Sequence, residues 1–169
     1  MPEIHRRIVR EIIEEEKIKP GIIAINVFGS LAKGNEKLNS DIDIQIVSKC
    51  ATIWSLENKD RYGIKIDFEI YPMRKQKERV EKYPFLCYIY LDSKTVYDPA
   101  DFMREILEDI NKYFKDNPKV LKFWVEKQKI KEDLKKKGLG EGFTVKCYDE
   151  AEILFSGEHR VTRDFFKGK

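Results

Sequence analysis

Apolar positions recur with clear periods along most of the chain. Ile4, Ile8 and Ile12 fall every fourth residue with Glu and Arg between them, which predicts a first helix with one apolar face, stopped at Pro20-Gly21. "IIAINVF" (22–28) is a continuous apolar, β-branched run and predicts a buried strand. "SDIDIQIV" (40–47) alternates strictly, with Ile42, Ile44 and Ile46 on one face and Asp41, Asp43 and Gln45 on the other. A helix is expected around 50–60. "GIKIDFEIYP" (63–72) alternates again, Ile64, Ile66, Phe68 and Ile70 against Lys65, Asp67, Glu69 and Tyr71, and Pro72 ends it.

The next stretches predict a helix over 73–83, a strand over 85–91 ("FLCYIYL") and a short edge strand over 95–99 ("TVYDP"). "DPADFMREILEDINKYF" then reads as a helix with Asp98 as N-cap, Pro99 in the first turn and Asp101 completing a capping box. Phe102, Ile106, Ile110 and Phe114 form its apolar stripe. A further helix is expected from Pro118 to Lys137, ended by Gly138, followed by more helix and a polar tail over 139–169. Strands interleaved with helices, then a helical C-terminal third, predict an α/β (α+β) fold: a domain over 1–98 and a helical extension over 99–169 that packs on it.

Composition narrows the classes. With 37% charged residues and no apolar stretch long enough for a bilayer, a membrane protein is not expected. The N-terminus lacks an apolar signal core, so a cytoplasmic location is expected. The formal charge of +3, from 33 basic and 30 acidic residues, does not mark a general nucleic-acid binder. The Lys/Glu/Ile-rich, Gln-poor usage is of the kind common in thermophile proteins. Cys50, Cys87 and Cys147 are scattered and never form a CxxC pair, and His5 and His159 are far from them. Buried thiols are therefore expected, not a zinc site or a disulfide framework. The lysine-rich "EKQKIKEDLKKKG" (126–138) reads as a solvated helix face, and Trp54, Trp124, Tyr83, Phe85, Tyr88 and Tyr90 as core or sheet.

Asp41 and Asp43 are the anomaly, because two like charges on one strand face repel unless solvent or a cation screens them. Residues i and i+2 of a strand lie about 6.5–7 Å apart, so both carboxylates can aim at one point. Asp67 occupies the polar side of the next alternating strand, and three carboxylates converge if the two strands pair with polar faces together. Such hard oxygen ligands suit Mg²⁺, which completes its shell with water and substrate phosphates. Gly29-Ser30 ends the first buried strand, where a small residue lets backbone N–H groups approach an anion, and the serine hydroxyl and Lys33 could add phosphate contacts. The loop is not a Walker A motif, since Asn35-Glu36 stand where Lys-Ser/Thr belong. Read alone, each piece has a plainer account: a solvated strand face, a turn, and an exposed pairing of Lys65 with Asp67 or Glu69.

Taken in order, "GSLAKG", "SDID" and "KIDF" resemble the DNA polymerase β nucleotidyltransferase superfamily, in particular minimal nucleotidyltransferases and the aminoglycoside (kanamycin-type) nucleotidyltransferases. The resemblance covers 22–71 strongly and 72–98 weakly. It implies a mixed sheet with packed helices and Mg²⁺-dependent transfer of a nucleoside monophosphate from an NTP, ATP being the expected one, to an acceptor hydroxyl. It implies Gly29, Ser30, Lys33 and Ser40 as nucleotide-binding residues, and Asp41, Asp43 and Asp67 as catalytic carboxylates binding two Mg²⁺ ions. Asp67 competes with Glu69 for the third role and is preferred by position. Two rival readings stand beside it: an antitoxin that modifies a helical toxin partner, and a catalytically degenerate nucleotide- or partner-binding module. Homodimerisation is compatible with the resemblance; nucleic acid is not the expected partner.

Overall fold

The computed structural model describes residues 1–156 of the 169-residue chain. His159 and the Phe165-Phe166 pair of the expected polar tail lie outside the described residues. In chain order the elements are α1 (Glu3–Glu16), β1 (Ile22–Phe28), α2 (Gly29–Lys33), β2 (Ile42–Ser48), β3 (Ser55–Arg61) and β4 (Ile64–Pro72). Then come α3 (Met73–Lys82), two 3₁₀ turns (Pro84–Leu86 and Tyr88–Asp92), β5 (Lys94–Tyr97), α4 (Phe102–Asp116), α5 (Pro118–Lys136) and α6 (Phe143–Phe155). The strands form one mixed sheet in the order β3-β4-β2-β1-β5. β2 and β4 run parallel, and the other pairs are antiparallel.

Strand alternation sorts the two faces of this sheet. Ile25, Val27, Ile42, Ile44, Ile46, Ile66 and Phe68 point to one side, where Ile8, Val9 and Ile12 of α1 cover them. Ala24, Phe28 and Val47 point to the other, into a second core built by α3, the 3₁₀ turns, α4, α5 and α6. The face carrying Asp43, Gln45, Asp67 and Glu69 is thus roofed by the C-terminal helices, and Gln45 is buried.

Four expectations are corrected. The segment expected as a helix around 50–60 contains edge strand β3, joined to β4 by a two-residue turn in which Tyr62 and Gly63 both take positive φ (56° and 77°). That is the geometry of a type I′ hairpin, whose twist suits adjacent strands. The apolar run 85–91, expected as a strand, folds into the 3₁₀ turns, with Phe85, Leu86, Cys87 and Tyr90 buried beneath the helices. Short apolar runs carry no period that separates the two outcomes. Asp98 is not the N-cap of α4: Asp101 holds that place in a left-handed conformation. The Asp98 carboxylate instead reaches past it to accept the Arg104 N–H at 3.0 Å. Of the three thiols, Cys87 and Cys147 are buried as expected, but Cys50 is exposed.

Candidate functional site

β1 ends at Phe28 and turns directly into α2 through Gly29, which takes φ +67°. The turn lays the backbone against β2, so close that a Cβ on Gly29 would collide with Oδ2 of Asp43. Phe28 is opposite Asp43 in the β1–β2 pairing, and Asp43 is opposite Asp67 in the parallel β2–β4 pairing. In-register neighbours share a face, so the two carboxylates meet on the roofed side of the sheet, within hydrogen-bonding reach of each other. Burial, then the charges of Asp67 and Asp41, push the Asp43 carboxyl above the ordinary aspartate range.

The remaining expected site residues divide. Ser30, Lys33, Asp43 and Asp67 line one cavity of about 620 Å³; Asp41 and Ser40 stand outside its walls. Asp41 is exposed just ahead of β2 and acts on Asp43 through its charge. Ser40 is spent within its loop: its hydroxyl accepts the Lys37 N–H at 2.8 Å and its carbonyl meets His5 Nε2 at 2.8 Å. Lys33 lies 3.6 Å from Asp92 of the second 3₁₀ turn.

Glu69, the competitor for the third carboxylate, is already engaged. Its Oε2 accepts from Gln45 Nε2 at 2.8 Å and its Oε1 from Trp54 Nε1. The chain of contacts extends across the sheet. Thr95 Oγ1 donates to Asn26 Oδ1 (2.9 Å), Asn26 Nδ2 donates to Gln45 Oε1 (3.0 Å), and Gln45 Nε2 meets the Tyr90 hydroxyl (2.9 Å), which donates to Gln76 (2.9 Å). This polar ladder lies one row behind the Asp43–Asp67 pair and fixes Glu69 within it, leaving Asp67 as the carboxylate that faces Asp43.

Sequence reasoning missed the opposite wall. Lys127, Lys131 and Lys135 recur every fourth residue of α5 and line the same cavity as the carboxylates. One face of the stretch expected to be wholly solvated therefore overhangs the site. Lys127 is paired with Glu150 of α6 at 2.6 Å. Lys131 is half-buried, and its pKa is lowered by burial and by Lys135 and Lys33, with Asp43 opposing the shift. The i, i+4 spacing was visible as a signal; the direction of the face was not. Of the aromatic residues expected in core or sheet, Trp124 and Tyr90 are buried and Tyr88 packs on the same core, but Trp54 is a half-buried cavity wall.

The donor set suits a hard cation. Asp43 and Asp67 offer carboxylate oxygens in a partly desolvated place where like charge is unfavourable, and Gly29 lets the backbone pass directly against the Asp43 carboxylate. Among the described residues no group of three or more His, Cys, Asp or Glu side chains is gathered closely enough to hold a metal by itself. Asp43 and Asp67 are the pair that could hold such a cation together with water and substrate oxygens.

Residues 10–84 match the family described as polymerase beta, nucleotidyltransferase. No curated protein sequence matches the chain. Eight solved chains match in structure. One is a nucleotidyltransferase-like protein from Exiguobacterium sibiricum 255-15, at 11% identity and a TM-score of 0.47, covering 95% of this chain and 64% of that one. The chain thus spans under two thirds of that protein's length.

Proposed function

Residues 10–84 belong to the polymerase β nucleotidyltransferase superfamily, and on that premise we propose that the protein transfers a nucleoside monophosphate from an NTP to an acceptor hydroxyl. The observation that carries this reading is the pairing of Asp43 and Asp67 in register on β2 and β4, with Gly29 packed against Asp43. Asp43 and Asp67, with Asp41 one step along the same strand face, would hold Mg²⁺, which when bound would polarise the α-phosphate and offset charge on the leaving group. The backbone of Gly29-Ser30 and the Ser30 hydroxyl cradle the triphosphate. Lys33 and the α5 lysines Lys131 and Lys135 line the same cavity, and the half-burial of Lys131 leaves its charge less screened by water.

In the transfer the acceptor oxygen attacks the α-phosphorus and its proton passes to the Asp67 carboxylate. The new O–P bond forms as the bond to the α,β-bridging oxygen breaks, and pyrophosphate leaves with that electron pair. Asp67 suits the proton-accepting role because it faces Asp43 without being committed to the ladder that holds Glu69.

Melting temperature against ATP, GTP, CTP and UTP, each with and without Mg²⁺, tests the reading, since a ligand that binds only the folded state raises stability by mass action. The expected outcome is a Mg²⁺-dependent rise with at least one NTP that Asp43→Asn loses, with pyrophosphate release reduced about 100-fold or more in that variant. Absence of any nucleotide shift would reject the transferase reading in favour of a degenerate partner-binding module.

A further inference from the structure

His5 and Ser40 have no part in the reading above. Ser40 lies outside the walls of the cavity, and His5 of α1 is wholly buried although its side chain is polar. His5 occupies the N-terminal end of the buried stripe that continues through Ile8, Val9 and Ile12. An apolar side chain there would extend the stripe without burying a polar ring, so the imidazole is accounted for by the bond it makes. That bond runs 2.8 Å from Nε2 to the backbone carbonyl of Ser40. A carbonyl oxygen only accepts, so Nε2 carries the proton between them.

Ser40 closes the loop that joins α2 to β2. Its hydroxyl accepts the Lys37 N–H at 2.8 Å, and its own N–H donates to the Lys37 carbonyl at 3.0 Å. At the start of the loop the Asn35 N–H donates to the Ser30 carbonyl at 3.1 Å. The N–H and hydroxyl of Ser40 are thus engaged inside the loop, while its carbonyl reaches out to α1.

That carbonyl belongs to the same peptide unit as the Asp41 N–H. The unit is planar and includes the Asp41 Cα, so a bond to its oxygen restrains the plane that carries Asp41. β2 begins at Ile42, and its pairing starts at Asp43 with β1 and at Ile42 with β4. The ladders therefore stop one residue short of Asp41, an exposed residue whose charge is felt at Asp43. His5 supplies the tie on the other side of it.

We propose that His5 is a positioning residue, which through Ser40 holds the Asp41 peptide so that the Asp41 carboxylate serves the site of Asp43 and Asp67. The proposal rests on the nucleotidyltransferase reading, which is what gives the direction of Asp41 a consequence for a bound metal-nucleotide. α1 then has two tasks: Ile8, Val9 and Ile12 cover the sheet, and His5 sets the entry to β2. His5 precedes the family-matched residues 10–84, so this clamp comes from a part of the chain that the match does not include.

The test is a double-mutant cycle read by isothermal titration of the full-length protein with Mg²⁺-ATP, GTP, CTP and UTP, well below each variant's melting temperature. His5→Leu keeps a large apolar side chain in the stripe and removes the donor. It should weaken the tightest Mg²⁺-NTP about fivefold or more, whereas His5→Gln, whose amide nitrogen can stand in for Nε2, should stay within about twofold of wild type. In an Asp41→Asn background His5→Leu should have no further effect, because the carboxylate it positions is gone. Ile8→Val thins the packing of the same helix, and should lower the melting temperature while leaving affinity unchanged. Wild-type affinity in His5→Leu overturns the proposal. So does an equal loss with and without Asp41, since His5 would then act through something else. If His5→Leu does not fold, His5→Asn, whose amide falls short of the carbonyl, takes its place with the same expectations. Failure of the wild type to bind any Mg²⁺-NTP rejects the transferase reading and the positioning role with it. Binding by the wild type that His5→Leu leaves intact rejects the positioning role alone.

Discussion

Gly29 joins backbone geometry to chemistry. Its φ of +67° is a left-handed conformation, and the space a Cβ would need is filled by the Asp43 carboxylate. Gly29→Ala should therefore cost about 1–2 kcal/mol in the backbone alone, measurable by urea denaturation. It should also lower pyrophosphate release more than tenfold, because relief of the clash must move either the loop or the carboxylate. Normal turnover in a folded Gly29→Ala protein would show that the close approach is dispensable. Asp43 carries the opposite trade. Its folded-state pKa lies above the unfolded value of about 3.9. Its contribution to stability is thus present below that unfolded value and is lost as pH rises through the folded one. At neutral pH the ionised carboxylate is a local cost in metal-free protein. Asp43→Asn should accordingly raise the metal-free melting temperature by about 1–3 °C while abolishing transfer; a lower melting temperature would contradict the like-charge account.

At the scale of elements, those with a strong period were legible. β1, β2 and β4 show continuous or alternating apolar residues, and α1 and α4 show stripes at helical spacing; all lie where the pattern puts them. The carboxylate pair was legible for the same reason, since alternation fixes the face and only the β2–β4 pairing had to be supplied. β3 was not, because "SLENKDR" is polar on both faces of an exposed edge strand and shows neither period. Its one local sign was Tyr62-Gly63, the two-residue turn into β4. The polar ladder was beyond reach, because Thr95, Asn26, Gln45 and Glu69 become neighbours only through the order of the sheet. Gln45 read as an outward polar residue and is instead the ladder's hub. Gln45→Leu would strand the buried Asn26 amide N–H and remove one hydrogen-bond partner each from the Glu69 carboxylate and the Tyr90 hydroxyl. That loss should cost about 2–4 kcal/mol in urea denaturation. A cost under about 0.5 kcal/mol would mean that the ladder contributes little to holding these strands.

Over the whole molecule the near-balance of charge conceals a separation in space. The formal +3 is compatible with almost any function, yet the fold gathers Asp43 and Asp67 on the floor of one cleft and Lys131 and Lys135 on its roof. The roof comes from beyond residue 84, outside the family-matched segment, so α5 adds to the site what the matched segment does not contain. Half-burial of Lys131 keeps its field partly unscreened, whereas exposed lysines act over about 10 Å at 0.1 M salt and about 3 Å at 1 M. Two consequences can be separated by isothermal titration with Mg²⁺-NTP. Lys131→Met should weaken nucleotide binding about tenfold, the equivalent of 1.4 kcal/mol. The same change should leave the nucleotide-free protein as stable or slightly more so, since its lowered pKa marks a charge that folding disfavours. Raising NaCl from low to high concentration should weaken the wild type several-fold through the exposed Lys135 and Lys33, and Lys131→Met should keep most of that salt dependence. Loss of the whole salt response in Lys131→Met would instead make Lys131 the dominant phosphate contact, and no effect of the substitution would remove α5 from the nucleotide site.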